Sequence, residues 1–215
     1  KRTVLSCMES AGLKLVRRCL ATPHLFLRVR IGWQAEDCVP AIQLRLAGDN
    51  HHMGKRMPVL FVGHGSPMNA IEDNKWSRGF EDIAGMIPRP AAVLSISAHW
   101  FVPGTMTTGN GKPKTIHDFG GFPVALYNIQ YPAPGKTVLA EKVAGMLEKY
   151  RAFKSLDWGL DHGTWSVLRR MFPLADVPVV QLSIDSGKAP GEHLAIGRDL
   201  APLRDEGVLI MGSGN

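Results

Sequence analysis

The chain has 215 residues, with Lys+Arg 25 against Asp+Glu 19, a formal charge of +6, three cysteines and 45% hydrophobic residues. This is a globular composition, long enough for one large domain or a domain with an extension, because domains usually run to about 100–200 residues. No apolar run approaches the ~20 residues of a bilayer-spanning helix, which excludes a transmembrane protein of that kind.

The charge is not spread evenly. Residues 1–56 hold ten Lys/Arg against four acids, which accounts for the whole +6, whereas residues 57–215 hold fifteen of each sign. Cys7, Cys19 and Cys38 also fall in the first stretch. Two chains of different composition join near Met57, so residues 1–56 are expected to be a basic segment and 57–215 a separate domain. Lys1–Leu20 is Arg-rich, acid-poor and weakly amphipathic, like an organelle transit peptide. Three readings stand for this segment: a cleaved targeting sequence, a basic appendage, or residues upstream of a start at Met53 or Met57. The cysteine spacings match no zinc finger. Since the excess charge belongs to this segment, the sequence pI of 9.4 is no argument for a nucleic-acid partner, and none is expected. No membrane partner is expected either, and a cytoplasmic location is.

From Met57 onward strands alternate with helices. Pro58–Gly63 (PVLFVG) is a short apolar run ending in Gly, as in a buried parallel strand. Asp73–Met86 carries Trp76, Phe80, Ile83 and Ala84 at helical spacing and is stopped by Pro88. Ala91–Ala98 is a second buried strand. Gly104–Pro134, rich in Gly, Pro, Thr and aromatics, is expected to be a long structured loop, because its aromatic side chains are costly to leave in water. Gly135–Tyr150 and His162–Phe172 read as helices, Val177–Ile184 as a strand, Ala189–Asp205 as a helix and Val208–Met211 as a strand. The order implies an α/β fold, a mostly parallel or mixed central sheet with helices on both faces. Sites in such sheets lie beyond the carboxyl ends of the strands.

Two histidines stand where that rule points. His64 follows the first strand by one residue (Val62-Gly63-His64-Gly65), and His99 follows the second in the same way (Ser97-Ala98-His99-Trp100). If the strands are neighbours, at about 4.8 Å, the imidazoles could share one metal ion; otherwise each merely caps its strand. Gly63 and Gly65 permit the bend and a close backbone approach. The loop lacks a dinucleotide fingerprint, and Ser66 is not in a nucleophile elbow. His117 (Thr115-Ile116-His117-Asp118-Phe119) and His162 (Asp161-His162-Gly163-Thr164-Trp165) lie beside aromatics, each with an adjacent Asp. They fit acid/base or substrate-anchoring roles, or loop stabilisation. His193 reads as solvent-facing, and His24, His51 and His52 lie in the basic segment.

The ordered strings P-V-L-F-V-G-H-G-S-P-M-N, S-A-H-W-F, T-I-H-D-F-G-G-F-P, Y-P-A-P-G, D-H-G-T-W and Q-L-S-I-D resemble the class III extradiol ring-cleavage dioxygenases, specifically the 4,5-DOPA dioxygenase extradiol type. The resemblance runs from about Met57 to Asn215. It implies a non-haem divalent metal, Fe(2+) for turnover or Zn(2+), with His64 and His99 as two of its ligands, and O2 and a small-molecule catechol as substrates. It also implies that His162 or His117 handles a catechol proton, and that His117, Phe119 and Trp100 contact the substrate. A further ligand His is expected shortly beyond Asn215, so the chain by itself is expected to be impaired in turnover. The alternatives are a metal-binding relative without ring cleavage and a zinc-dependent hydrolase on the same scaffold.

Overall fold

The structure, a computed structural model, describes residues 56–214. The basic segment, with its three cysteines and His24, His51 and His52, lies outside the described residues apart from Arg56. Among the described residues six strands form one sheet: β1 (Val59–Gly63), β2 (Ala92–Val102), β3 (Met106–Thr108), β4 (Phe153–Ser155), β5 (Val179–Asp185) and β6 (Val208–Gly214). Their spatial order is β1-β6-β2-β5-β3-β4. All pairs are parallel except β3 with β5, joined antiparallel at Thr107 and Leu182. The α/β expectation holds in its mixed form.

The helices that accompany the sheet are α1 (Lys75–Met86), the short α2 (Val124–Tyr127), α3 (Thr137–Met146), α4 (His162–Met171) and α5 (Pro190–Asp199). Side chains alternate between the faces of a strand, and the buried residues divide accordingly. Leu60, Val62, Val93, Leu209 and Met211 join a core with Phe80 and Ile83 of α1 and Val167 and Leu168 of α4. Their neighbours Ala92, Leu94, Val208 and Ile210 join a second core with Leu139 and Val143 of α3 and Ile196 of α5. Helices therefore cover both faces.

Local chemistry sets the helix starts. The Asn74 side chain accepts from the N–H groups of Trp76 and Ser77, and Ser77 accepts from the Asn74 N–H, a reciprocal cap on α1. Asp161 caps α4 by accepting from Thr164 N–H at 3.1 Å.

Several expected elements differ. The run 104–134 contains β3 and α2 yet is ordered by anchors: Trp165 Nε1 donates to Ile116 O, and buried Tyr131 donates to Phe172 O. The expected helix 135–150 ends as α3 at Met146 and gives way to a 3-10 turn at Glu148–Tyr150. The expected helix 189–205 divides into α5 and a 3-10 turn at Ala201–Glu206. β1 is an edge strand, not a doubly buried one: Phe61 is 67% exposed, and the facing residues Gly212 and Gly214 offer no side chain to cover it. An apolar run does not distinguish centre from edge.

Candidate metal centre

His64 and His99 do not stand on neighbouring strands, the condition set above for sharing one ion, because β6 lies between β1 and β2. Register nevertheless aligns them. Val62, Ser213 and Ser97 form one row across β1, β6 and β2. His64 and His99 are each two residues further along, hence at one level and on one face. Nor does His99 follow its strand: β2 continues to Val102, and its pairing with β5 shifts register between Ile96 and Phe101, the stretch that carries His99. His64 Nε2 lies 2.9 Å from His99 Nε2.

The loop after β1 is built for this. Gly65 has φ +60°, a left-handed conformation that glycine adopts at no steric cost. Asn69 Nδ2 then donates to His64 O at 3.1 Å, holding the bend. His162, the first residue of α4, brings a third imidazole, its ring centroid 3.9 Å from that of His99 and 5.4 Å from that of His64. Donor atoms of the three histidines lie within 4.8 Å of one another. Metal–imidazole bonds of about 2.0–2.1 Å let two ligands of one ion stand at most about 4.2 Å apart, which the 2.9 Å pair satisfies.

Each Nδ1 faces an oxygen on the far side of its ring. His64 Nδ1 is 2.9 Å from Ser213 Oγ. Asp118 serves the other two, with Oδ2 3.5 Å from His99 Nδ1 and Oδ1 2.9 Å from His162 Nδ1. The latter is a close approach without hydrogen-bond alignment. The same Oδ1 accepts from the backbone N–H of His162 at 2.9 Å. A carboxylate behind an imidazole fixes ring orientation and raises ligand basicity.

The electrostatics favour neutral imidazoles. Burial, reinforced by the neighbouring His99 and His162, lowers His64 to about 4 against the opposing pull of Asp118. His99 is lowered by burial and by His162, with Asp118 and Asp161 opposing. Burial alone would raise Asp118, but the close side chain of His162 and the hydrogen bond from its backbone N–H outweigh it and hold the carboxyl below its usual range. The imidazoles of buried His64 and partly exposed His99, with nitrogens 2.9 Å apart and both lowered in pKa, suit a shared divalent cation. The donor set thus fits the metal that the sequence motifs imply.

Beneath the histidines, Asp161 is fully buried, and burial raises its pKa despite hydrogen bonds from Ser97 and Gln181. Ser97 Oγ in turn accepts from His99 N–H at 3.2 Å.

The remaining expected site residues fall around this centre. Phe119 presents its ring edge-on to His162 at 5.4 Å. His117 is outside the imidazole cluster: its Nε2 donates to Ile129 O at 3.0 Å, and it packs among Phe119, Tyr127 and Trp165. Trp100 is buried and stacks on Trp158 at 5.4 Å. His193 Nε2 donates to Asp185 O rather than standing free in solvent. Asp118 and Ser213 were not expected. The only signal for Asp118 was its place beside His117, and Ser213 lay in the Gly-Ser-Gly end of a strand with no signal at all.

The family described as the catalytic LigB subunit of aromatic ring-opening dioxygenase matches residues 51–215. The chain is 52% identical over 161 residues to 4,5-DOPA dioxygenase extradiol of Escherichia coli (strain K12), covering 74% of this chain and 59% of that protein. It is 44% identical over 165 residues to the protein of the same name from Beta vulgaris, covering 73% and 60%. The crystal structure of uncharacterized protein JW3007 from Escherichia coli K12 matches with TM-score 0.63 and 44% identity, over 74% of this chain and 60% of that one. The chain thus spans about six tenths of the length of these relatives.

Proposed function

Because the chain belongs to the family of catalytic LigB subunits of aromatic ring-opening dioxygenases, we propose that its domain holds a non-haem divalent metal at His64 and His99 and takes part in extradiol cleavage of a catechol by O2. The observation that carries the reading is the 2.9 Å approach of two imidazole nitrogens at the carboxyl edge of the sheet. The metal is Fe(II) for turnover, with Zn(II) as the non-redox occupant. When bound, it supplies Lewis acidity toward the catechol hydroxyls and a redox partner for O2. The names of the relatives support a DOPA-like substrate.

The protein groups divide the remaining work. His162, held from behind by Asp118, is placed to take a catechol proton on its free side. Phe119, edge-on to His162, offers an apolar wall to an aromatic ring, and His117 with Tyr127 extends it, packed against the fully buried Trp165. Trp100 is 2% exposed, so its part is to back the strand beside His99 rather than to touch the ring.

Binding of DOPA or a simpler catechol to the Fe(II)-loaded chain under argon tests this without requiring turnover. Saturable binding that disappears in His64→Ala is expected, and no binding with the metal in place overturns the reading. Fe(II)-dependent oxygen uptake then separates ring cleavage from a non-redox role or a zinc-dependent hydrolase.

A further inference from the structure

Ser213 is buried on β6, in the register row between Val62 and Ser97. Its Oγ lies 2.5 Å from the carbonyl oxygen of Gly163 and 2.9 Å from His64 Nδ1. A hydroxyl has one proton to give, and a carbonyl oxygen can only accept. The Ser213 proton is therefore spent on Gly163 O, and a lone pair of the same oxygen faces His64. Nδ1 must then carry the hydrogen that completes this contact. In a neutral ring that leaves the lone pair on Nε2, the atom directed at His99 Nε2.

We propose that Ser213 is a positioning residue for the metal centre: its hydroxyl locks His64 in the Nδ1–H tautomer and fixes the ring plane, so that Nε2 is presented as a ligand. This rests on the metal reading above and deepens it. Gly163 belongs to the first turn of α4, so the one hydroxyl ties β6, α4 and the end of β1 together at the ligand. The chain thereby orients His64 through a neutral acceptor, while His99 and His162 face a carboxylate. A hydroxyl sets the tautomer without adding a second negative charge to the buried centre.

The test reads the tautomer directly, by nitrogen-15 NMR of the imidazoles in the metal-free chain, with His64 assigned from a His64→Gln variant. The unaltered chain is expected to show His64 as Nδ1–H. Ser213→Ala should release it to the Nε2–H form that an unconstrained histidine side chain favours and weaken Zn(II) binding, measured by chelator competition, about 10- to 100-fold. Ser213→Thr, which keeps the hydroxyl, should restore the tautomer and bring affinity to within a few-fold.

Finding Nε2–H at His64 in the unaltered chain overturns the proposal whether or not the alanine variant folds. So does a folded Ser213→Ala protein with an unchanged tautomer, whatever its affinity for zinc. A chain with the Nδ1–H signature that binds no Zn(II) supports the role of Ser213 in orienting the ring and removes the metal reading instead.

Discussion

Asp118 stands next to His117 in the chain yet serves His99 and His162, while Asp161, next to His162, turns away to Ser97, Gln181 and the start of α4. Adjacency in sequence thus does not identify the partners, because successive side chains diverge in a loop or at a helix start. The histidines were legible since each sits in a recognisable motif, His64 just after a strand, His99 late in one and His162 at a helix start; their shared oxygens were not, since contact depends on register. The neutral cluster has a pH consequence. His64 is lowered to about 4 and His99 is also lowered, chiefly by burial, whereas an unfolded histidine titrates near about 6.5. Above about 6.5 neither state binds these protons, and their contribution to stability is complete. Below it the unfolded chain takes up protons the folded chain refuses, so stability falls until His64 protonates near about 4. Asp161, raised by burial, acts in the opposite sense as the pH drops. Subtraction of a His64→Gln variant therefore isolates the histidine. Denaturant midpoints of the metal-free chain are expected to decline more steeply than those of the variant between pH 6.5 and 4; parallel curves contradict a neutral buried His64.

The centre exists because α4 lies unusually close to the sheet edge. A Cβ at Gly163 would stand 2.6 Å from Ser97 Oγ, 2.8 Å from His99 Cδ2 and 3.3 Å from His64 Nδ1. Gly163→Ala must therefore push the helix or the histidines aside. A cost of about 1–3 kcal/mol in unfolding free energy, as for overpacked cores, and weakened metal binding are expected, measured by denaturation and metal titration. Gly197 is the control. It lies inside α5, and a Cβ added there would meet nothing within 4 Å, so Gly197→Ala should stabilise by up to about 1 kcal/mol. Equal effects from the two substitutions would contradict the tight approach of α4. The long elements were readable because apolar runs and helical spacing carry them; β3 and β4, at three residues each, are too short to leave a pattern. Strand order was not readable either, and placing β6 between the two histidine strands is what brings Ser213 to the site.

At the scale of the molecule, two apolar cores on opposite faces hold a mostly parallel sheet, and the chemistry-bearing side chains gather toward the carboxyl ends of its strands. Among the described residues no helix is long and apolar enough to cross a membrane. The fold class followed from the alternation of strands and helices, since a parallel strand needs a crossover and the crossovers here are helical. The basic charge that dominates the composition lies almost wholly before the described residues, and the domain with the histidines is balanced in sign. A ligand that binds only the folded chain stabilises it by mass action, so the metal should raise the thermal midpoint as well as bind. The central claim, that His64 and His99 share one divalent ion, is tested most directly by metal stoichiometry after equilibration with Fe(II) under argon or with Zn(II). One ion per chain is predicted for the unaltered protein, with loss of that ion in both His64→Ala and His99→Ala; stoichiometric metal retained in both variants would contradict it.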